Sequence, residues 1–198
     1  MLLKDSKTFL HLAEAFAGEC MARTRYEFIE YGARMAGNTA LADILAKIAF
    51  NEFNHARMLY TFLQKGHKST ISNINISSGY PFKEKWDVLE NLKLASENER
   101  EEAFEIYPKH AEIAKTEGFE DIEKLFLNIA SVEKSHSLLL AELYKQMKTN
   151  CMYKKENSVE WRCADCGYTF KGSDVFAECP LCEAKTGHVS IKLATCSI

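Results

Sequence analysis

The chain has 198 residues, 46% of them hydrophobic and 27% charged, with a net charge of −3. That length accommodates one good-sized domain and a small appendage, and the balanced charge offers no basic surface for nucleic acid. No Lys/Arg block suggests a membrane-surface patch, and no apolar run reaches the roughly 18 residues of a membrane span. The N-terminal stretch MLLKDSKTFLHLAEAF lacks the unbroken apolar segment of a signal peptide, so a cytoplasmic protein without nucleic-acid or membrane partners is expected.

Apolar residues recur at spacings of three and four, as in Leu10, Ala13, Phe16, Ala17 and Cys20, then Ile44, Leu45, Ile48 and Ala49. The pattern predicts helices near residues 4–35, 38–65, 82–117 and 119–148, broken at Gly37-Asn38, between Gly66 and Pro81, and at Gly118. The two glycine breaks are tight, which makes the first and second helices, and the third and fourth, antiparallel neighbours. The segment GHKSTISNINISSGYP is long and polar enough to run the length of a bundle as a crossover, although its composition also suits a flexible linker. Residues 1–148 thus read as an all-α four-helix bundle. NCMYKKENSVE has no periodicity, and residues 149–160 read as a linker. Residues 161–198, with turn residues, aromatics and paired cysteines, describe a small β-rich domain that needs a metal to fold.

One glutamate pattern occurs twice. Glu19 is followed 33 positions later by Glu52-Phe53-Asn54-His55, and Glu99 is followed 34 positions later by Glu133-Lys134-Ser135-His136. Glu and His three apart share a helix face, so each Glu-x-x-His presents two ligands to one side. A single copy would be an ordinary solvated face, as Glu97, Glu101, Glu105 and Glu112 are expected to be. Two copies, each with a lone Glu from a partner helix, match the set that holds two iron or manganese ions inside a ferritin-like bundle with one long crossover. Carboxylates facing a core would be prohibitively costly without such partners. Glu19 to Glu99 is 80 residues and Glu52 to Glu133 is 81, which suggests two copies of one ligand-bearing hairpin. The crossover reading is favoured because the matching motifs lie on either side of it.

Four of the seven cysteines, Cys163, Cys166, Cys179 and Cys182, form Cys-x2-Cys, twelve residues, then Cys-x2-Cys. Four thiolates at this spacing make a tetrahedral site that suits zinc or a single iron. Cys20 is expected to face a helix neighbour; Cys151 and Cys196 receive no role. His11, His67, His110 and His188 lack a paired motif and are expected at the surface.

Taken together, FAGECMARTRY, NEFNHA, ENEREEAFEIYP, EGFEDI and IASVEKSH resemble the successive iron-binding segments of rubrerythrins, in order, and the resemblance extends into the cysteine tail. Trp161, Gly167-Tyr168 and Cys179-Pro180 resemble rubredoxin knuckles in the short rubrerythrin version, which favours iron over zinc in Fe(Cys)4. The resemblance implies a further ligand, Glu102, three residues after Glu99 and ahead of Tyr107-Pro108. It also implies that Glu102 exchanges with His55 as the iron pair changes redox state. Two ferrous ions balance Glu19, Glu52, Glu99 and Glu133; oxidation adds charge that a fifth carboxylate helps neutralise. Tyr26 and Tyr107 are implied to hydrogen-bond ligand carboxylates. Pro108 removes a helical N–H and is expected to kink the third helix.

The function so implied is a non-haem di-iron peroxidase that reduces hydrogen peroxide to water in oxidative-stress defence. Electrons would come through Fe(Cys)4 from a rubredoxin or an NAD(P)H-dependent reductase, since the chain has no dinucleotide-binding Gly-x-Gly-x-x-Gly. The family's head-to-tail dimers imply a homodimer or higher homo-oligomer in which one subunit's tail serves another's bundle. Two rivals share the residues: a ferroxidase or oxidase using O2, and an iron-binding or storage scaffold with a structural zinc tail.

Overall fold

The computed structural model describes residues 2–65, 73–77 and 87–193. After a 3-10 turn at Leu3–Asp5, α1 (Lys7–Met35) and α2 (Thr39–Lys65) form one helical hairpin. The second hairpin comprises α3 (Val88–Glu101), a π turn (Glu102–Ile106), α4 (Tyr107–Thr116) and α5 (Glu120–Lys148). Local chemistry sets the ends. Ser6 Oγ accepts the Phe9 N–H at 3.1 Å and Asp87 Oδ1 accepts the Glu90 N–H at 3.0 Å, each satisfying an orphan amide of a first turn. Glu117 reaches across from the end of α4 to accept the N–H groups of Lys7 and Thr8 at 3.0 and 2.8 Å. Helices α1 and α4 close on Gly37 and Gly118, both at positive φ, with Asn38 and Phe119 donating back to the carbonyls of Ala33 and Ala114. The expected crossover lies mostly outside the described residues; within it, Ile74 packs against the bundle.

Two apolar clusters fill the bundle. One gathers Tyr26, Ile29, Leu45, Ile48, Leu92 and Leu140, and the other Phe9, Leu12, Leu59, Phe62, Ile122 and Phe126. The acidic residues singled out by the sequence fall between them, Glu19 on α1, Glu52 on α2, Glu99 on α3 and Glu133 on α5. An apolar cluster thus lies on either side of this polar layer.

The expected third helix is not continuous. Its irregularity lies before Pro108, in the π turn, where the Tyr107 N–H bonds to the Glu102 carbonyl five residues back. Eight residues of regular α-helix would leave Tyr107 turned roughly 80° from Glu99. The extra residue of the π turn takes up that angle, and both side chains point into the core, Glu99 0% and Tyr107 3% exposed.

The tail contains one antiparallel sheet, β1 (Lys154–Arg162) with β2 (Thr169–Asp174), in which Trp161 pairs with Phe170 and Arg162 with Thr169. β1 corrects the linker reading of residues 154–160. Most of this strand is exposed on both faces, so it carries no apolar alternation for the sequence to show. The tail sits on the closed end of the first hairpin. Met152 is buried in the first cluster, Ile191 and Leu193 pack against it, and Gln146 Nε2 donates to the Lys192 carbonyl at 2.8 Å.

Three further expectations are corrected. Cys20 is exposed, one residue and about 100° of helix away from buried Glu19. His11 and His110 are half-buried and stacked on one another, with ring centroids 4.3 Å apart. His188 bridges tail and bundle, its Nε2 3.2 Å from Thr39 Oγ1 and its Nδ1 2.9 Å from Asp165. His67 and Cys196 lie outside the described residues. Phe50 and Phe53, neighbours of Glu52 in sequence, are exposed, while Ile48 and Ala49 supply its apolar surroundings.

Candidate metal centres

In the polar layer, a ligand atom from each of Glu19, Glu52, His55 and Glu133 lies within 4.8 Å of the other three, and the same holds for Glu52, Glu99, Glu133 and His136. Glu52 and Glu133 belong to both groups. Two adjacent cations could be held here, one by Glu19 and His55 and the other by Glu99 and His136, with Glu52 and Glu133 available to both. Glu102, at the start of the π turn, belongs to neither group; it lines an adjoining cavity.

The side chains are close but not mutually satisfied. His55 Nδ1 lies 2.9 Å from Glu133 Oε1, 3.3 Å from Glu52 Oε2 and 3.5 Å from Glu19 Oε2. His136 Nδ1 lies 2.8 Å from Glu133 Oε2 and 3.0 Å from Glu52 Oε1. Yet Glu19 Oε2, both oxygens of Glu52, Glu99 Oε2, Glu133 Oε1 and His55 Nδ1 are buried without an aligned hydrogen bond. Each such atom is costly in an apolar interior, and so many converging on one layer fit a pair of cations as their common partner. Carboxylates with imidazoles suit iron or manganese.

The electrostatics agree. Without a cation, burial pushes the Glu19 and Glu99 carboxyls well above the usual carboxylate range, and neighbouring carboxylates push the same way. Burial also lifts Glu102, to about 8, aided by Glu133. Glu52 moves in the opposite direction, because His136 and His55 outweigh its burial. Burial opposes charge on His136, but Glu133 and Glu52 raise it to about 9.

Several groups around this layer hold the carboxylates in place. The Tyr26 hydroxyl donates to Glu99 Oε1 and the Tyr107 hydroxyl to Glu19 Oε1. Burial holds both phenols well above their ordinary pKa, so they act as donors. Sequence reasoning missed two others. Arg25 Nη2 lies 3.5 Å from Glu99 Oε1 and places a positive charge beside the layer. The Asn51 amide lies 3.1 Å from His136 Nε2, the ring nitrogen turned away from the carboxylates. The amide nitrogen is the nearer atom here; with a cation on Nδ1, Nε2 would carry the proton and the amide would turn its oxygen to accept it, fixing the ring. The one signal for Asn51 was a polar residue breaking the apolar run before Glu52.

The tail's four cysteines also converge within 4.8 Å, with Cys163 Sγ 3.7 Å from Cys182 Sγ and Cys166 Sγ 3.6 Å from Cys179 Sγ. A tetrahedron with metal–sulfur bonds of about 2.3 Å has edges of about 3.8 Å, so the donors are already near their bound spacing. The two knuckles repeat. Cys163 and Cys179 accept from Gly167 and Glu183 at 3.0 and 2.9 Å, and donate to the carbonyls of Tyr168 and Ala184. Gly167 and Glu183 occupy the same left-handed position, at φ 78° and 63°. Desolvation raises the Cys179 thiol, but the N–H groups of Cys182 and Leu181 outweigh it and bring it to about 7. Trp161 is fully buried beneath, its Nε1 donating to the Gly172 carbonyl at 3.0 Å.

A family model described as rubrerythrin matches residues 11–144 and again 90–161, and one described as the rubredoxin-like domain of rubrerythrin matches residues 161–188. The rubrerythrin of Clostridium perfringens (strain 13 / Type A) is 36% identical over 180 residues, covering 91% of either chain. That of Nitratidesulfovibrio vulgaris is 32% identical over 189 residues and covers 96% of either chain. Nigerythrin in a mixed-valence state superposes with a TM-score of 0.61 at 22% identity, over 93% of this chain and 86% of that one. A bacterioferritin of Desulfovibrio desulfuricans gives 0.60 at 21%, over 72% and 81%. At these identities the two structures speak to the ferritin-like fold alone. The donor sets accord with the family's iron cofactors, a di-iron pair in the bundle and one iron among the cysteines. With relatives about a third identical along more than nine-tenths of its length, the chain belongs to the rubrerythrin family.

Proposed function

We propose that this protein is a peroxidase that reduces hydrogen peroxide to water. The observation that carries the reading is the combination, in one chain, of a doubled carboxylate–imidazole set sharing Glu52 and Glu133 with a separate four-cysteine set. Two irons in the bundle, when bound, supply the two electrons that O–O cleavage needs, and iron among the cysteines returns them singly. Glu19 and His55 would hold one iron, Glu99 and His136 the other, and Glu52 and Glu133 would bridge them. A cavity of about 520 Å³ beside this layer, lined by Glu102, Tyr107, Arg25 and Asn98, offers a small substrate a way in. Without a cation, burial lifts the Glu102 carboxyl to about 8, and its place on the cavity wall suits a group that exchanges protons with a small substrate. We keep the exchange between His55 and Glu102 as our reading of that pair, since His55 belongs to the first set and Glu102 to neither.

The tail's position favours electron delivery between subunits. Its Thr186–His188 turn meets the bundle at Thr39, and Glu52 lies thirteen residues further along α2, roughly 20 Å by helix rise. The bundle of a second copy in a homodimer could come nearer the cysteines than their own does. An external rubredoxin or NAD(P)H-dependent reductase would supply the electrons.

The test is an anaerobic titration of the fully reduced protein with peroxide, following both iron absorptions. About one peroxide per two electrons, with both centres oxidising and O2 reacting far more slowly, is expected. Faster oxidation by O2 than by peroxide would overturn the reading in favour of an oxidase.

A further inference from the structure

We propose that His11, Glu14 and His110 form a third metal site, separate from the dinuclear layer and the cysteine tail, that takes one divalent transition-metal ion such as ferrous iron or zinc. His11 and Glu14 are three apart on α1 and so share a face; His110 comes from α4 across the bundle. A ring nitrogen of each histidine and a carboxylate oxygen of Glu14 lie within 4.8 Å of one another.

Packing alone leaves this cluster unexplained. The two imidazoles lie 12° from parallel, but the Nδ1 of each is buried without a hydrogen-bond partner among the described residues. Buried ring nitrogens are normally bonded, and two orphans side by side form the kind of exception that a missing common partner resolves. Burial lowers the His11 ring against the pull of Glu14, and burial with neighbouring His11 lowers His110 to about 4, so both shifts favour the neutral form that ligates. Glu14 and His110 also line a cavity with room beside the stacked rings, where the two histidines and Glu14 would hold the ion. Two histidines and one carboxylate leave further coordination positions open.

The location suggests what the ion is for. The same cavity that Glu14 and His110 line also exposes Glu102 and Tyr107, and Tyr107 holds Glu19 of the dinuclear layer. An ion captured here would stand at the outer wall of a cavity that adjoins that layer, a staging position for ferrous iron. The site itself depends on neither the peroxidase reading nor the occupancy of the layer.

Zinc is a suitable probe because it changes no redox state. Iron-loaded full-length protein, dialysed against zinc at neutral pH, should bind one equivalent beyond its iron, with iron content and the Fe(Cys)4 absorption unchanged. X-ray absorption at the zinc edge should report imidazole nitrogen at about 2.0–2.1 Å. His110→Phe, which keeps a ring in the stack, and Glu14→Gln, which keeps the side chain's shape, should each weaken this binding at least about tenfold. No added equivalent in the wild type, sulfur at about 2.3 Å from the zinc, or full retention of binding in both variants would each overturn the proposal. Glu14→Gln leaves the ring stack intact, so a folding defect in His110→Phe would not leave the question open.

Discussion

A Cβ placed on Gly187 would stand 1.8 Å from the carbonyl oxygen of Gly37. The tail's last turn and the α1–α2 turn thus meet backbone to backbone, a contact that only glycine permits. Gly187→Ala should force the tail off the bundle at a cost of roughly 1–3 kcal/mol, the usual range for overpacking. Limited proteolysis should then cut residues 149–153 much faster, while the Fe(Cys)4 absorption stays as in the wild type. Unchanged cleavage would mean that the Gly37 turn can yield.

The two cysteine knuckles predict opposite outcomes at equivalent positions. Gly167→Ala places a side chain at φ 78°, and Glu183→Gly removes one at φ 63°. The first should destabilise the iron-loaded tail by about 1 kcal/mol and the second should stabilise it by a similar amount. The guanidinium midpoint for loss of the tail's visible absorption measures both.

Glu117 holds the amides of exposed Lys7 and buried Thr8 at the start of α1. Loss of solvent opposes its ionisation, but the Thr8 hydroxyl and the two N–H groups together outweigh it and leave its carboxyl below the usual range. A carboxyl depressed in the folded state adds stability above its unfolded pKa and loses it as pH falls through the folded one. Glu117→Gln should therefore cost about 1 kcal/mol at neutral pH. The difference from the wild type should close as pH drops below about 4, as urea denaturation across pH would show.

Tyr26 and Tyr107 make crosswise bonds, each from one hairpin to a glutamate of the other. Tyr107→Phe should leave Glu19 without its donor and weaken iron retention about 10–100-fold, with Tyr26→Phe doing the same through Glu99. Iron remaining after dialysis against a graded chelator series provides the measure. Equal retention in all three proteins would reduce the phenols to packing.

The bundle, its helix breaks and the polar layer were legible in the sequence because they rest on periodicity and ligand spacing. The π turn was not, although its trace was present. Glu19 to Glu99 is 80 residues, whereas Tyr26 to Tyr107, Glu52 to Glu133 and His55 to His136 are each 81. The surplus residue lies between Glu99 and Tyr107, where the π turn absorbs it. Spacing shows that a residue is extra, but not whether a loop or a helix accommodates it. The docked tail and the His11–His110 stack were illegible for another reason. Both depend on contacts between distant segments, one through a glycine and one through two histidines with no local pattern of their own.

The π turn also divides the walls around the polar layer by stiffness. Helices α1, α2 and α5 run past the layer as unbroken α-helix, whereas between α3 and α4 the ladder widens and Pro108 contributes no N–H. Three walls are rigid struts and the fourth has a compliant joint. Glu102 is the first residue of that joint. The carboxylate proposed to exchange with His55 thus sits where the helical ladder changes, while Glu19, Glu52, Glu99 and Glu133 sit in regular helix.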